Sequence, residues 1–90
     1  MLDYVYDKEN LCIKEDEARV EAKLISTTNN KFDYIIGRTG ILEIKLNFSA
    51  KFLNYEKFLI TSIVKSFEVK EKILTIKTLN SIYVFEILNC

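Results

Sequence analysis

From Ser62 to Leu88 the chain reads as three consecutive β-strands joined by minimal turns, and no other stretch constrains the fold as much. Ile63, Phe67 and Val69 mark the first strand, and Lys70-Glu71-Lys72 supplies the turn. Leu74 and Ile76 form the inward side of the second strand, and Leu79-Asn80 makes a tight reversal. In the last strand Tyr83, Phe85 and Ile87 share one face, while Ile82, Val84 and Leu88 share the other. One face of a small antiparallel sheet ordinarily meets water. Ile82 and Val84 therefore call for cover from the Phe52/Tyr55 segment, from the second layer of a rolled barrel, or from another molecule.

Period-two alternation recurs upstream. Leu2, Tyr4 and Tyr6 alternate with Asp3 and Val5 in a short first strand, and Leu11 and Ile13 flank Cys12 in a second. Between Lys14 and Ser26 two signals compete. The Glu, Ala, Lys and Arg content favours a helix by propensity. However, Ala18, Val20, Ala22 and Leu24 fall at strict spacing of two, opposite Arg19, Glu21 and Lys23. On a helix those four would scatter around the axis and bury no common face. A strand is expected there.

Phe32, Tyr34 and Ile36 resume the alternation. The only two glycines of the chain, in Gly37-Arg38-Thr39-Gly40, read as a tight hairpin loop. Leu42, Ile44, Leu46 and Phe48 then share a face opposite Glu43, Lys45 and Asn47, as in a half-exposed strand. Phe48, Phe52, Tyr55 and Leu59 recur at helical spacing, which predicts one short helix or helical turn near residues 49–57, with Asn47 or Ser49 as N-cap.

Composition bounds the functional classes. Ninety residues, 49% hydrophobic and 29% charged, suit a single globular domain over residues 1–90. A formal net charge of zero argues against a general nucleic-acid binder, which needs a cationic surplus to displace counterions. Cys12 and Cys90 do not make a disulfide framework, and free thiols are expected. No stretch approaches the length of a membrane helix, so a cytoplasmic protein with no membrane partner is expected.

Catalytic signatures are sparse. The chain has no histidine, so neither a Ser-His-Asp nor a Cys-His arrangement can form within it. Cys12, between Leu11 and Ile13, reads as a small half-buried side chain. The acidic run Glu15-Asp16-Glu17 lacks the spacing of a calcium loop and reads as a solvated rim able to meet a basic partner. The glycine pair lacks the length and the lysine of a phosphate loop, although Arg38 at such a tip suits a carboxylate or phosphate. No catalytic residue, cofactor or metal site is expected. Lysines interleave with aromatics at Lys51-Phe52, Lys57-Phe58 and Lys65-Ser66-Phe67, the residue types of a single-strand nucleic-acid platform. The same pattern describes core phenylalanines with solvated neighbours. Tyr4, Tyr6 and Tyr83 combine large area with a polar tip and suit either an interface or a core edge.

Ser62-Ile63-Val64-Lys65 and, after a strand and turn, Thr75-Ile76-Lys77-Thr78-Leu79-Asn80-Ser81-Ile82-Tyr83 resemble an ending seen in small phage and mobile-element proteins. In those proteins a Thr-x-Asn-Ser-x-Tyr segment opens the last strand. The resemblance implies a phage-type accessory origin, and inhibitors of bacterial defence systems are one functional class of that origin. Lysine outnumbering arginine, with frequent isoleucine and asparagine, fits an AT-rich genome.

Together these readings lead to an all-β, or β-rich α+β, domain of six to seven antiparallel strands in a meander. It would be rolled into a small barrel or bent sheet, with at most one short helix. The function expected is non-enzymatic protein binding by steric occlusion of a host protein. Tyr4, Tyr6, Glu15, Asp16, Glu17, Arg38, Ile82 and Val84 are the candidate contact residues. A single-stranded nucleic-acid-binding barrel and a self-assembling homo-oligomer are the alternatives.

Overall fold

The computed structural model describes residues 12–54 and 58–89. The expected strand at Leu2–Tyr6 lies outside them, as do Tyr4, Tyr6, Tyr55 and Cys90. The described residues form seven strands in chain order: β1 (Cys12–Ile13), β2 (Glu17–Thr27), β3 (Thr39–Lys45), β4 (Ser49–Leu53), β5 (Phe58–Lys70), β6 (Ile73–Thr78) and β7 (Ile82–Asn89). Each pairs antiparallel with the next, and β7 returns to pair with β2. The meander from β2 to β7 therefore closes into a ring, with β1 as a short hairpin arm on β2. Of the two forms expected for the all-β meander, a small barrel or a bent sheet, the closed barrel is observed.

Closure depends on two long strands that change neighbours along their length. β5 pairs with β4 through Phe58–Ile63 and with β6 through Val64–Lys70. β2 pairs with β3 through Glu17–Lys23 and with β7 through Glu21–Thr27. The register slips within both long strands, between Leu24 and Ser26 and between Val64 and Ser66. Such bulges bend a strand and raise its twist, and staggered pairing is what a closed sheet requires.

The period-two reading of β2 holds: Ala18, Val20, Ala22 and Leu24 are all buried, and Arg19, Glu21 and Lys23 face outward. Leu74 and Ile76 join the core from β6, and Tyr83, Phe85 and Ile87 join it from β7. Tyr83 is thus an interior residue and not an interface tyrosine. Phe52 of β4 and Phe85 of β7 come from opposite walls of the ring, and their rings meet with centroids 5.0 Å apart at 56°. That tilted contact adds roughly 0.5–1.5 kcal/mol to what burial of the two rings contributes.

Three segments correct the sequence expectations. Phe32, Tyr34 and Ile36 are not a strand: Asn30–Ile35 is a 3₁₀ helix. Its N-cap is Asn29, whose side-chain oxygen accepts from the Lys31 N–H at 3.1 Å. The segment kinks at Phe32, whose backbone is not helical (φ −111°, ψ 15°). Phe32 and Ile35 pack on the core, leaving Tyr34 and Ile36 exposed.

The short helix expected near residues 49–57 is absent from its first half, where Ser49–Leu53 is β4. Phe52 and Leu59 are not stacked on one helix but face each other across the β4–β5 hairpin. Their spacing of seven imitates two helical turns.

Gly37 and Gly40 do not share a loop. Gly37 sits in the turn after the 3₁₀ helix at φ +91°, whereas Gly40 lies buried within β3 beside the Leu53 backbone.

Candidate functional site

The apolar run expected along β3 ends early. Leu42 and Ile44 point into the barrel and Leu46 packs against the core. Asn47 then adopts φ 72°, a left-handed conformation that asparagine tolerates better than most residues. The chain reverses, and Phe48 is thrown onto the outer surface with 57% of its area exposed.

A second distortion lies next to it. Ser49 pairs with Ile63 and Lys51 pairs with Ile60, so Thr61 and Ser62 together oppose Ala50. This bulge inverts the facing of the strand, and both Ile60 and Ile63, three residues apart, point outward. The Ala50 N–H that the bulge takes out of the ladder donates to Thr61 Oγ1 at 3.0 Å, inside the protein. Thr61 Oγ1 in turn donates to the Ser62 carbonyl at 2.6 Å. The buried hydroxyl thus holds the bulge in place.

Between these two distortions the outer face of β2–β5 carries a groove of about 710 Å³. Ala18, Ile44, Phe48 and Ile63 supply its apolar lining, with Phe48 and Ile63 the exposed members, and Glu17, Arg19, Glu43, Lys45, Ser49 and Lys51 supply the polar one. Register explains the grouping: Glu17 pairs with Lys45, and Arg19, Glu43 and Lys51 form one cross-strand row. Arg19 Nε donates to Glu43 Oε2 at 2.9 Å, both side chains being partly shielded. Glu17 Oε2 lies 3.6 Å from Lys14 Nζ, an exposed pair of little energetic weight. Lys45 Nζ stands 5.4 Å from the Phe48 ring centroid, within cation–π range. Both carboxylates of the groove therefore have cationic partners, while Lys45 and Lys51 have no carboxylate partner among the described residues. Ile60 and Phe58, exposed on the same side of β5, extend the apolar surface beyond the groove.

The chemistry on offer is ion pairing, hydrogen bonding and apolar contact. Among the described residues no three His, Cys, Asp or Glu side chains gather as metal ligands.

The residues singled out from sequence do not converge. Glu17 lines the groove, and Glu15 and Asp16 lie in the exposed turn just before it. Arg38 is at the far end of β2, where its carbonyl accepts from the Leu24 N–H at 3.2 Å. It is half-buried rather than displayed at a loop tip. Ile82 and Val84 face outward on β7, which the ring separates from β3 by β2. Val84 is half-buried between Ser26 and Thr75, and Ile82 is exposed beside Lys77. The barrel interior therefore does not cover Ile82. Tyr4 and Tyr6 lie outside the described residues.

Lys51 had a sequence signal through its place beside an aromatic. Phe48, Ile63, Lys45 and the Arg19–Glu43 pair had none, because a left-handed Asn47 and a bulge opposite Ala50 bring them together.

The chain matches no protein-family model, no curated protein and no solved structure. No helix among the described residues is long and apolar enough to cross a membrane.

Proposed function

We propose that the barrel is a non-enzymatic protein-binding module whose contact surface is the outer groove of β2–β5. One observation carries this reading. Two backbone distortions put Phe48, Ile60 and Ile63 in the open on one side, next to a groove with ordered charges. Contiguous exposed apolar surface rimmed by polar groups is the usual mark of an interaction site. An ordinary antiparallel strand would have pointed one of those two isoleucines inward.

The action is occlusion. A rigid barrel seated on its partner covers what lies beneath and needs no chemistry of its own. With the phage or mobile-element origin that the C-terminal resemblance implies, the partner is a cytoplasmic host protein such as a defence component.

The test is affinity purification of the tagged full chain from a bacterial lysate, alongside Phe48→Ser/Ile63→Ser and Ile82→Ser variants. A stoichiometric protein retained by the parent and by Ile82→Ser, but lost from the groove variant, is the expected result. Recovery of no such protein, or its equal retention by all three, overturns the proposal. Circular dichroism of each variant confirms that the fold is intact.

A further inference from the structure

Resting on the groove as the contact surface, we infer that its partner inserts a short acidic segment in which carboxylates flank an apolar side chain. Glu43 is engaged by Arg19 at 2.9 Å and Glu17 by Lys14 at 3.6 Å. Lys45 and Lys51 line the same groove without a carboxylate partner among the described residues. Although the chain is neutral overall, the groove lining sets Arg19, Lys45 and Lys51 against Glu17 and Glu43, an excess of one positive charge, and among the described residues Lys45 and Lys51 have no salt-bridge partner. They belong to adjacent strands, with Phe48 in the turn between them and Ile63 across from Ser49.

Carboxylates of the segment pair with Lys45 and Lys51, and its apolar side chain rests on Phe48 and Ile63. A phosphodiester chain suits the groove less well. It would lay a continuous line of negative charge past Glu17 and Glu43, and binding by counterion release calls for more cations than two. A neutral apolar peptide would leave both lysines unanswered.

The experiment is a titration of the isotopically labelled full chain, followed through its backbone amide resonances. The probes are capped peptides with a Glu-Leu-Glu centre, a Gln-Leu-Gln centre and a Glu-Ser-Glu centre, and a short oligothymidylate. The Glu-Leu-Glu peptide is expected to shift the amides of Phe48, Lys51 and Ile63. Its affinity should exceed that of each of the other two peptides by about tenfold, the scale of a few exposed ion pairs or one small apolar contact. In Lys45→Gln/Lys51→Gln its advantage over the Gln-Leu-Gln peptide should vanish.

Equal binding of the Gln-Leu-Gln peptide at the same amides overturns the acidic assignment and leaves the groove as a protein site. Shifts centred on Ile82 and Val84 overturn the groove itself. Displacement of the acidic peptide by oligothymidylate makes the ligand a nucleic acid and overturns the inference. So does the absence of any shift with millimolar Glu-Leu-Glu peptide.

Discussion

Gly40 lies so close to the Leu53 carbonyl that a β-carbon at position 40 would collide with the oxygen and sit 2.8 Å from the carbonyl carbon. Both atoms are backbone, and Gly40 is also paired with Ala22 on its other side. Relief would have to come from moving a strand. Gly40→Ala should therefore destabilise the barrel by on the order of 3 kcal/mol, the upper range for overpacking. A thermal melt should show a fall in Tm of roughly 10–20 °C. Gly37→Ala has open space around the new β-carbon and meets only the strain of φ +91°. About 1 kcal/mol is expected there. A smaller effect at Gly40 than at Gly37 would contradict the close approach of β3 to the Leu53 backbone.

The bulge that exposes Ile63 depends on Thr61. Its hydroxyl is buried and takes the Ala50 N–H that the ladder has lost. Thr61→Val keeps the shape and removes the acceptor, leaving a buried donor unsatisfied. A loss of about 1–3 kcal/mol is expected in urea denaturation. Thr61→Ser keeps the hydroxyl and should retain most of the stability, losing only the methyl contact. Equal losses in both variants would show that the hydroxyl is not what matters.

Glu71 carries a left-handed φ of 59° in the turn between β5 and β6. A non-glycine residue there is strained by about 1–2 kcal/mol, partly offset in a glycine variant by the greater entropy of its unfolded chain. Glu71→Gly should raise stability by roughly 0.5–1 kcal/mol, read as a higher denaturation midpoint at unchanged m-value. A decrease would show that the Glu71 side chain makes a compensating interaction.

The two faces of β7 should respond unequally. Phe85 is fully buried against Phe52, so Phe85→Ala is expected to cost about 3–5 kcal/mol through cavity formation. Ile82 is 40% exposed, and Ile82→Ala should cost under about 1 kcal/mol. Sedimentation equilibrium adds a second check. If a second copy covers Ile82, the Ile82→Ala variant will dissociate on dilution where the parent does not.

How much of this was legible in the sequence depended on which physical signal wrote each segment. β2 was readable against its own helix propensity because Ala18 to Leu24 keep a strict period of two, and burial follows it residue by residue. β6 and β7 were readable for the same reason, and Leu79-Asn80 turn where expected. β5 was read only in part, since it begins at Phe58, leaves Ile63 and Val69 exposed, and takes Lys70 of the expected Lys70-Glu71-Lys72 turn into the strand. The 3₁₀ helix was hidden because Phe32, Tyr34 and Ile36 carry a false alternation, whereas the buried pair is Phe32 and Ile35. β4 was hidden because Phe52 and Leu59, partners across a hairpin, stand at a helical spacing. The groove was the least legible part. It follows from one left-handed residue and one register slip, and neither leaves a trace in residue type beyond an asparagine and a threonine.

The central claim is that Phe48 and Ile63, rather than Ile82 and Val84, meet the partner. Photo-crosslinking in living cells addresses it most directly, with a benzophenone amino acid placed at position 48 in one variant and at position 82 in another. The expected result is a discrete protein adduct from position 48, identified by mass spectrometry, with none from position 82. An adduct from position 82 alone would contradict the claim and move the contact surface to the outer face of β7.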